Sequence, residues 1–281
     1  MKKFYLYSNG KSVEEKVLPE KFFNEDEIGI FESLRTYSGK FFKKEEHLQR
    51  FLESAHTAGV NNMNTSRLSA ELDTALAAFR KEVKSSKAEL FIRLNVFPDI
   101  MPGKIFIMIG ERKHSADIYK KGVCLRTSPV RRSLLNAAPP EVKTSAYQNP
   151  LLASLEPSDG IYEWLFLDRN GFATEVRIGN LFIVPSGGAR PGLATPHKIG
   201  ILNGVTRRFV IECAHQAGFE VKEKPLTRHE IYNAAEAFLT NTSWEILPIR
   251  ELDGRRIGRK IPGPVTAKLQ KIFKQRVGSS S

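Results

Sequence analysis

The sequence predicts a mixed α+β fold in two domains, a smaller N-terminal α/β domain over residues 1–117 and a larger C-terminal one over 118–281. Short apolar runs bounded by Gly, Pro, Ser and Asn read as strands and hairpins. Amphipathic helical stretches fall among them irregularly, without the regular strand–helix–strand alternation of a parallel sheet. A chain of 281 residues that is 41% hydrophobic can also bury a sizeable core, in one large or two medium domains.

Phe4 to Tyr7 reads as a strand. Gly29 to Tyr37 and Phe41-Phe42 read as a hairpin turning at Ser38-Gly39. Glu45 to Ala55 reads as a helix, with Leu48, Phe51, Leu52 and Ala55 on one face and Arg50 on the polar side. Leu68 to Val83 is a second helix. Ala88–Phe97 and Lys104–Ile109 are strands joined through a turn at Pro102-Gly103. His114 to Gly122 reads as the connection between domains. In the second half, Val123–Arg126, Glu163–Asp168, Phe172–Glu175, Asn180–Val184 and Ala237–Thr240 are expected strands. Helices are expected from Gly204 through Gln216, stopping near Gly218, and from Val265 to Phe273. The tail Gly278 to Ser281 is low in complexity.

Charged residues make up 26% of the chain, an ordinary share for a globular protein. The two cysteines, Cys124 and Cys213, are far apart and lack metal-ligand spacing. They argue against a disulfide framework and a metal site, and they fit a reducing cytoplasm. The N-terminal apolar run is too short for a signal peptide, and no stretch reaches membrane-spanning length. The net charge of +12 allows nucleic acid or small anions as partners. Lysines and arginines are spread along the chain, with short clusters at Lys120-Lys121, Arg131-Arg132 and Arg255-Arg256 and no interleaved aromatics, so nucleic-acid binding is not expected.

Four segments can carry chemistry. Lys143, in Glu141-Val142-Lys143-Thr144-Ser145, ends a short extended piece before an apolar run that starts a helix. A lysine at such a junction can be desolvated and freed as a nucleophile. Glu175 places a carboxylate at a strand end before Gly179-Asn180. Gly204-Val205-Thr206 opens a helix whose free N–H groups suit an anion. Thr240 to Ser243 gathers hydroxyls after a strand. Taken singly, each also reads as a surface lysine, a hairpin carboxylate, a helix cap or a polar turn.

Together these segments resemble the class IV aminotransferases, the fold-type IV pyridoxal-phosphate enzymes, a family that includes branched-chain and D-amino-acid aminotransferases and aminodeoxychorismate lyase. The likeness runs from Gly29 to about Phe273. It rests on Gly29 to Arg35, His47 to Arg50, the Lys143 segment with Tyr147, and Glu175 with Asn180 and Phe182. Leu202 to Arg207, Thr240 to Thr242, Leu252-Asp253-Gly254 and Pro262 to Thr266 complete the series. The resemblance implies a D-amino-acid-aminotransferase-like fold and pyridoxal 5′-phosphate as cofactor. It implies that Lys143 forms the Schiff base with the cofactor aldehyde and that Glu175 sits beside the pyridine nitrogen. Arg50, the Val205 and Thr206 amides, and the Thr206 and Thr242 hydroxyls would hold the phosphate. Leu202 would pack on the ring and Tyr147 would lie near the phenolic oxygen. Phe31, Ser33, Phe91, Arg93, Ser243 and Trp244 are candidates for the substrate pocket. For Phe31, Phe91, Arg93 and Trp244 a role in the core remains open.

Asp26, Glu27 and Ile28 stand where the family usually has an aromatic and a glycine. Asn203 replaces a frequent proline, and Val176-Arg177 follows Glu175 where glycine is common. The implied activity is transfer of an amino group between an amino acid, of branched-chain or D type, and a 2-oxo acid. The alternative is a lyase releasing pyruvate from aminodeoxychorismate, toward which the Ser33 hydroxyl leans. A non-catalytic basic binding protein is the third reading. The family also implies a cytoplasmic homodimer without a membrane partner.

Overall fold

The computed structural model describes residues 4–8, 11–12, 29–84, 88–97, 104–132, 141–145, 152–153, 155–156, 159–187 and 191–279. The chain divides into two compact units. The first is Met1–Lys113 with Val142–Tyr147 and Val277–Ser281, and the second is His114–Glu141 with Gln148–Arg276. Lys143 therefore groups with the first unit although it lies beyond residue 117.

In the first unit, β1 (Phe4–Ser8), β2 (Lys11–Ser12), β3 (Ile30–Tyr37), β4 (Lys40–Phe41), β5 (Phe91–Val96) and β6 (Ile105–Gly110) form one sheet in the order β2-β1-β6-β5-β3-β4. The β3–β4 turn puts Ser38 and Gly39 at φ of 48° and 84°, the left-handed pair that a tight hairpin needs. Helices α1 (Lys44–Thr57) and α2 (Thr65–Val83) cover one face. Ile30, Leu34, Ile92, Leu94 and Ile107 pack there with Leu48, Phe51, Leu72 and Phe79 in one buried cluster. Each such side chain contributes about 1.5–3 kcal/mol on burial. Period-two alternation along β3 leaves Phe31, Ser33 and Arg35 half-buried on the other face.

The second unit holds β7 (Val123–Thr127), β8 (Glu163–Leu167), β9 (Ala173–Val176), β10 (Gly179–Val184), β11 (Leu193–Thr195), β12 (Val221–Glu223), β13 (Glu236–Asn241), β14 (Glu245–Leu252) and β15 (Arg255–Arg256). β10 pairs with both β9 and β13, so β10-β13-β14-β7-β8-β9 close into a barrel. Leu165, Leu167, Leu181, Ile183, Leu239, Leu247 and Ile249, spaced two apart along their strands, share one core cluster. Helices α3 (Ala116–Lys121), α4 (Val205–Gln216), α5 (Arg228–Tyr232) and α6 (Pro264–Ser279) complete the described elements. Phe209 of α4 meets Phe273 of α6 edge-on, with centroids 5.1 Å apart.

The structure corrects the sequence reading at several places. The expected connection at His114–Gly122 contains α3, capped by Ser115, whose hydroxyl accepts from Asp117 N–H. Ile118 and Tyr119 pack partly buried against the barrel core, but six residues are too few to show an apolar period. β11, β12, β14, β15 and α5 were not expected. β14 contains Pro248, which argues against a strand in sequence, and the others are too short for periodicity. Arg50 does not lie on the solvent side of α1: it is buried, because β3 offers it a carboxylate. The Pro102-Gly103 turn, Tyr147 and Asp26 to Ile28 lie outside the described residues, as does most of the helix expected after Lys143.

Candidate active site

In the first unit the Lys143 segment docks on the start of β3. Phe31 N–H donates to Lys143 O at 3.0 Å, and Ser145 N–H donates to Gly29 O at 2.9 Å. Lys143 N–H donates to Ser54 Oγ of α1 at 3.0 Å. The backbone of Lys143 is thus tied to a strand and a helix at once. Its Nζ lies 4.6 Å from the centre of the Phe31 ring, and the Arg93 guanidinium lies 4.0 Å from the same ring. Arg93 also donates through Nε to Asn95 Oδ1 at 2.9 Å. Ser33 pairs with Arg93 across β3–β5, and Arg35 pairs with Phe91, so Phe31, Ser33, Phe91 and Arg93 share one sheet face.

On the opposite face Glu32 is fully buried, as alternation along β3 requires. Arg50 donates to it through Nε at 2.8 Å and Nη2 at 2.6 Å, and His47 Nδ1 lies 3.1 Å from it. Burial alone would raise the Glu32 carboxyl, but the Arg50 charge, with His47, outweighs it and holds the group well below the usual carboxylate range. His47 moves down, chiefly through burial, with the Arg50 and Lys143 charges adding to it against the Glu32 bond. Neither Glu32 nor His47 was a candidate for a role. The signal present in the sequence was a carboxylate in the buried phase of a strand, followed by His47 and Arg50 three residues apart on one helix.

In the second unit Glu175 of β9 faces Asn180 of β10 across the hairpin. Asn180 Nδ2 donates to Glu175 Oε2 at 3.3 Å and to Leu202 O at 2.9 Å, and Leu202 N–H lies 3.2 Å from both carboxylate oxygens. Arg132, missed in the sequence, pairs with Glu175 Oε1 at 2.7 Å, and both side chains are buried. Arg177 instead donates to Glu163 at 3.0 Å. Burial pushes the Glu163 carboxyl up against that pairing.

The segment Leu202–Thr206 is seated close to this carboxylate. A Cβ on Gly204 would fall 2.3 Å from Asn180 Oδ1, so only glycine fits there. Gly204 caps α4 without a side-chain hydrogen bond, leaving the first N–H groups, Val205 and Thr206, to serve an anion. Thr240 Oγ1, on the strand beside Asn180, is buried without a hydrogen-bond partner among the described residues. An uncapped helix start, an orphaned hydroxyl and a buried carboxylate match a phosphorylated pyridine: anion, polar edge and ring nitrogen. Thr242 lies in the turn after β13. Ser243 Oγ lies 2.7 Å from His114 Nε2. Trp244 is buried in the barrel cluster beside Tyr162.

Residues 29–252 match the family model of the amino-transferase class IV proteins. This chain belongs to the class IV aminotransferases. It is 34% identical over 263 residues to the branched-chain-amino-acid aminotransferase of Pseudomonas aeruginosa, covering 88% of this chain and 83% of that one. Its fold is similar to the branched-chain amino acid aminotransferase of T.th., complexed with N-(5′-phosphopyridoxyl)-L-glutamate, with a TM-score of 0.82 and 26% identity over 99% of this chain and 95% of the other. It is also similar to the branched-chain aminotransferase from Thermoproteus uzoniensis with norvaline, with a TM-score of 0.78, 29% identity and coverage of 98% and 95%. The enzyme is an aminotransferase that uses pyridoxal 5′-phosphate, with amino acid and 2-oxo acid substrates. These relatives do not favour the lyase alternative. Among the described residues, no helix is long and apolar enough to cross a membrane.

Proposed function

We propose that this class IV aminotransferase moves the amino group of a branched-chain amino acid to 2-oxoglutarate. The observation that carries the reading is the face of β3 and β5, where Phe31 offers an apolar surface and Arg93 a guanidinium stacked on it. An aliphatic side chain suits the ring, and the second carboxylate of glutamate suits the guanidinium. The names of the relatives, and the N-(5′-phosphopyridoxyl)-L-glutamate and norvaline of the neighbours, support it.

Pyridoxal phosphate, when bound, supplies the electron sink for the carbanion at the substrate Cα. Lys143 would hold the cofactor through its amine and would move the proton at the substrate Cα. Glu175 keeps the ring nitrogen protonated, with Asn180 and Leu202 N–H fixing the carboxylate. Arg50, the Val205 and Thr206 amides and the Thr206 and Thr242 hydroxyls hold the phosphate. Glu32 fixes the Arg50 guanidinium by two donors. Leu202 would pack on the ring, Tyr147 would lie near the phenolic oxygen, and Ser33, Phe91 and Ser243 would border the substrate. The enzyme works as a cytoplasmic homodimer.

A substrate panel tests the reading. With 2-oxoglutarate present, L-leucine is expected to yield its 2-oxo acid, while D-alanine and aminodeoxychorismate stay near background. Turnover of D-alanine above L-leucine would assign the D-amino-acid type. Pyruvate from aminodeoxychorismate without an acceptor would restore the lyase.

A further inference from the structure

Four arginines from three separate parts of the second unit converge on one groove of about 490 Å³. Arg126 lies next to the end of β7 and Arg131 follows in the next loop, Arg228 opens α5, and Arg255 lies in β15. All four side chains are exposed. None of them forms an ion pair among the described residues. The groove has two carboxylates in its lining, Asp253 and Glu156. Asp253 is already committed: it accepts from Thr127 N–H and Oγ1 at 2.6 Å each and from the Tyr232 hydroxyl at 2.7 Å. Glu156 forms no ion pair with any described residue.

The floor is held from several elements. Asp253 ties the end of β7 to Tyr232 of α5, and Arg255 stacks on the Tyr232 ring with 4.8 Å between guanidinium and centroid. Burial, with the Asp253 bond, raises the Tyr232 phenol, so its hydroxyl stays a donor to Asp253. Trp164 of β8 adds an apolar wall. Four like charges gathered without ion-pair partners among the described residues repel one another, and an anion seated among them removes that cost. The volume lies within the range of small-molecule sites.

We propose that this groove binds a small molecule carrying a diphosphate group, at a site separate from the candidate active-site residues. A planar guanidinium fork takes two phosphate oxygens, and the terminal oxygens of a diphosphate each accept more than one donor, so several forks can share them. A compact groove, as opposed to a basic stripe along the surface, favours a small polyanion over a nucleic acid.

The experiment is calorimetric titration of the pyridoxal-phosphate-loaded enzyme with inorganic pyrophosphate and with ADP, at physiological ionic strength. The cofactor keeps its own phosphate site filled. One pyrophosphate per chain is expected, displaced competitively by ADP. Arg126→Ala and Arg228→Ala are each expected to weaken binding about tenfold. Both variants should keep the wild-type cofactor absorbance, which establishes that they are folded. Lysine at either position retains charge but loses the fork and should fall between. No binding to the wild type at millimolar ligand, or binding unchanged in both alanine variants, overturns the proposal. Tighter binding of a single-stranded oligonucleotide than of ADP, with stoichiometry that scales with its length, overturns it in favour of nucleic acid.

Discussion

Glu175 holds the clearest single-residue question, because its carboxylate meets two amide donors and a guanidinium. If it keeps the ring nitrogen protonated, Glu175→Gln still binds the cofactor, since Lys143 and the phosphate residues are untouched. Turnover then falls about a hundredfold or more, the size of losing roughly 3 kcal/mol of transition-state stabilisation. A purely structural role predicts near-normal kcat with a lower melting temperature. Both quantities are read on one preparation, and normal kcat removes Glu175 from the chemistry. Arg50 poses a different question, because it both pairs with buried Glu32 and is proposed to hold phosphate. Arg50→Met leaves Glu32 buried with His47 alone and should cost about 3–5 kcal/mol in urea unfolding. Adding Glu32→Gln should restore much of that stability. Cofactor affinity should stay weak in the double variant, and wild-type affinity there would take Arg50 out of the phosphate site.

At the level of elements, β3 and α1 meet through the Glu32–Arg50–His47 cluster, and this makes their union pH-dependent. His47 is held neutral by burial, so its folded value lies below 6.5. Its contribution to stability is present above 6.5 and is lost as pH falls, because the unfolded imidazole takes up a proton first. Glu32 has the same sign in a lower window: its contribution is present above 4.5 and is lost as pH falls toward its depressed folded value. Glu163, raised by burial, works oppositely and loses its contribution as pH rises above 4.5. Unfolding free energy of the wild type is therefore expected to fall as pH drops below about 6.5. His47→Gln should flatten that slope while retaining a donor to Glu32. An unchanged slope in the variant would show that another group titrates there.

At the scale of the molecule, the closed barrel of the second unit has no free edge between β9 and β10, and its core is continuous. In the first unit's sheet, β2 and β4 are the outer strands, each two residues long, which limits edge-to-edge association. The proposed homodimer predicts a solution mass twice the 31.7 kDa of one chain. Light scattering on the eluting peak checks it, and a single-chain mass at assay concentration would reject it.

The sequence by itself determined the α+β class, the long helices α1, α2 and α4, and the Ser38-Gly39 hairpin, because period and turn chemistry are local properties. It also carried the family, through motifs spread from Gly29 to Leu252. Only tertiary structure decided where ions and short strands go. Arg50 read as solvent-facing in a helical wheel, yet a carboxylate eighteen positions earlier draws it inward. Arg132 stood in sequence only within the short cluster Arg131-Arg132, yet its buried partner is Glu175 of β9. Trp244 read as pocket wall or core, and closure of the barrel places it in the buried cluster. β14 bears a proline that local rules reject, and its place between β13 and β7 overrides them. In each case the deciding partner is distant in sequence, and a buried charge or a strand register has no meaning until that partner is in place.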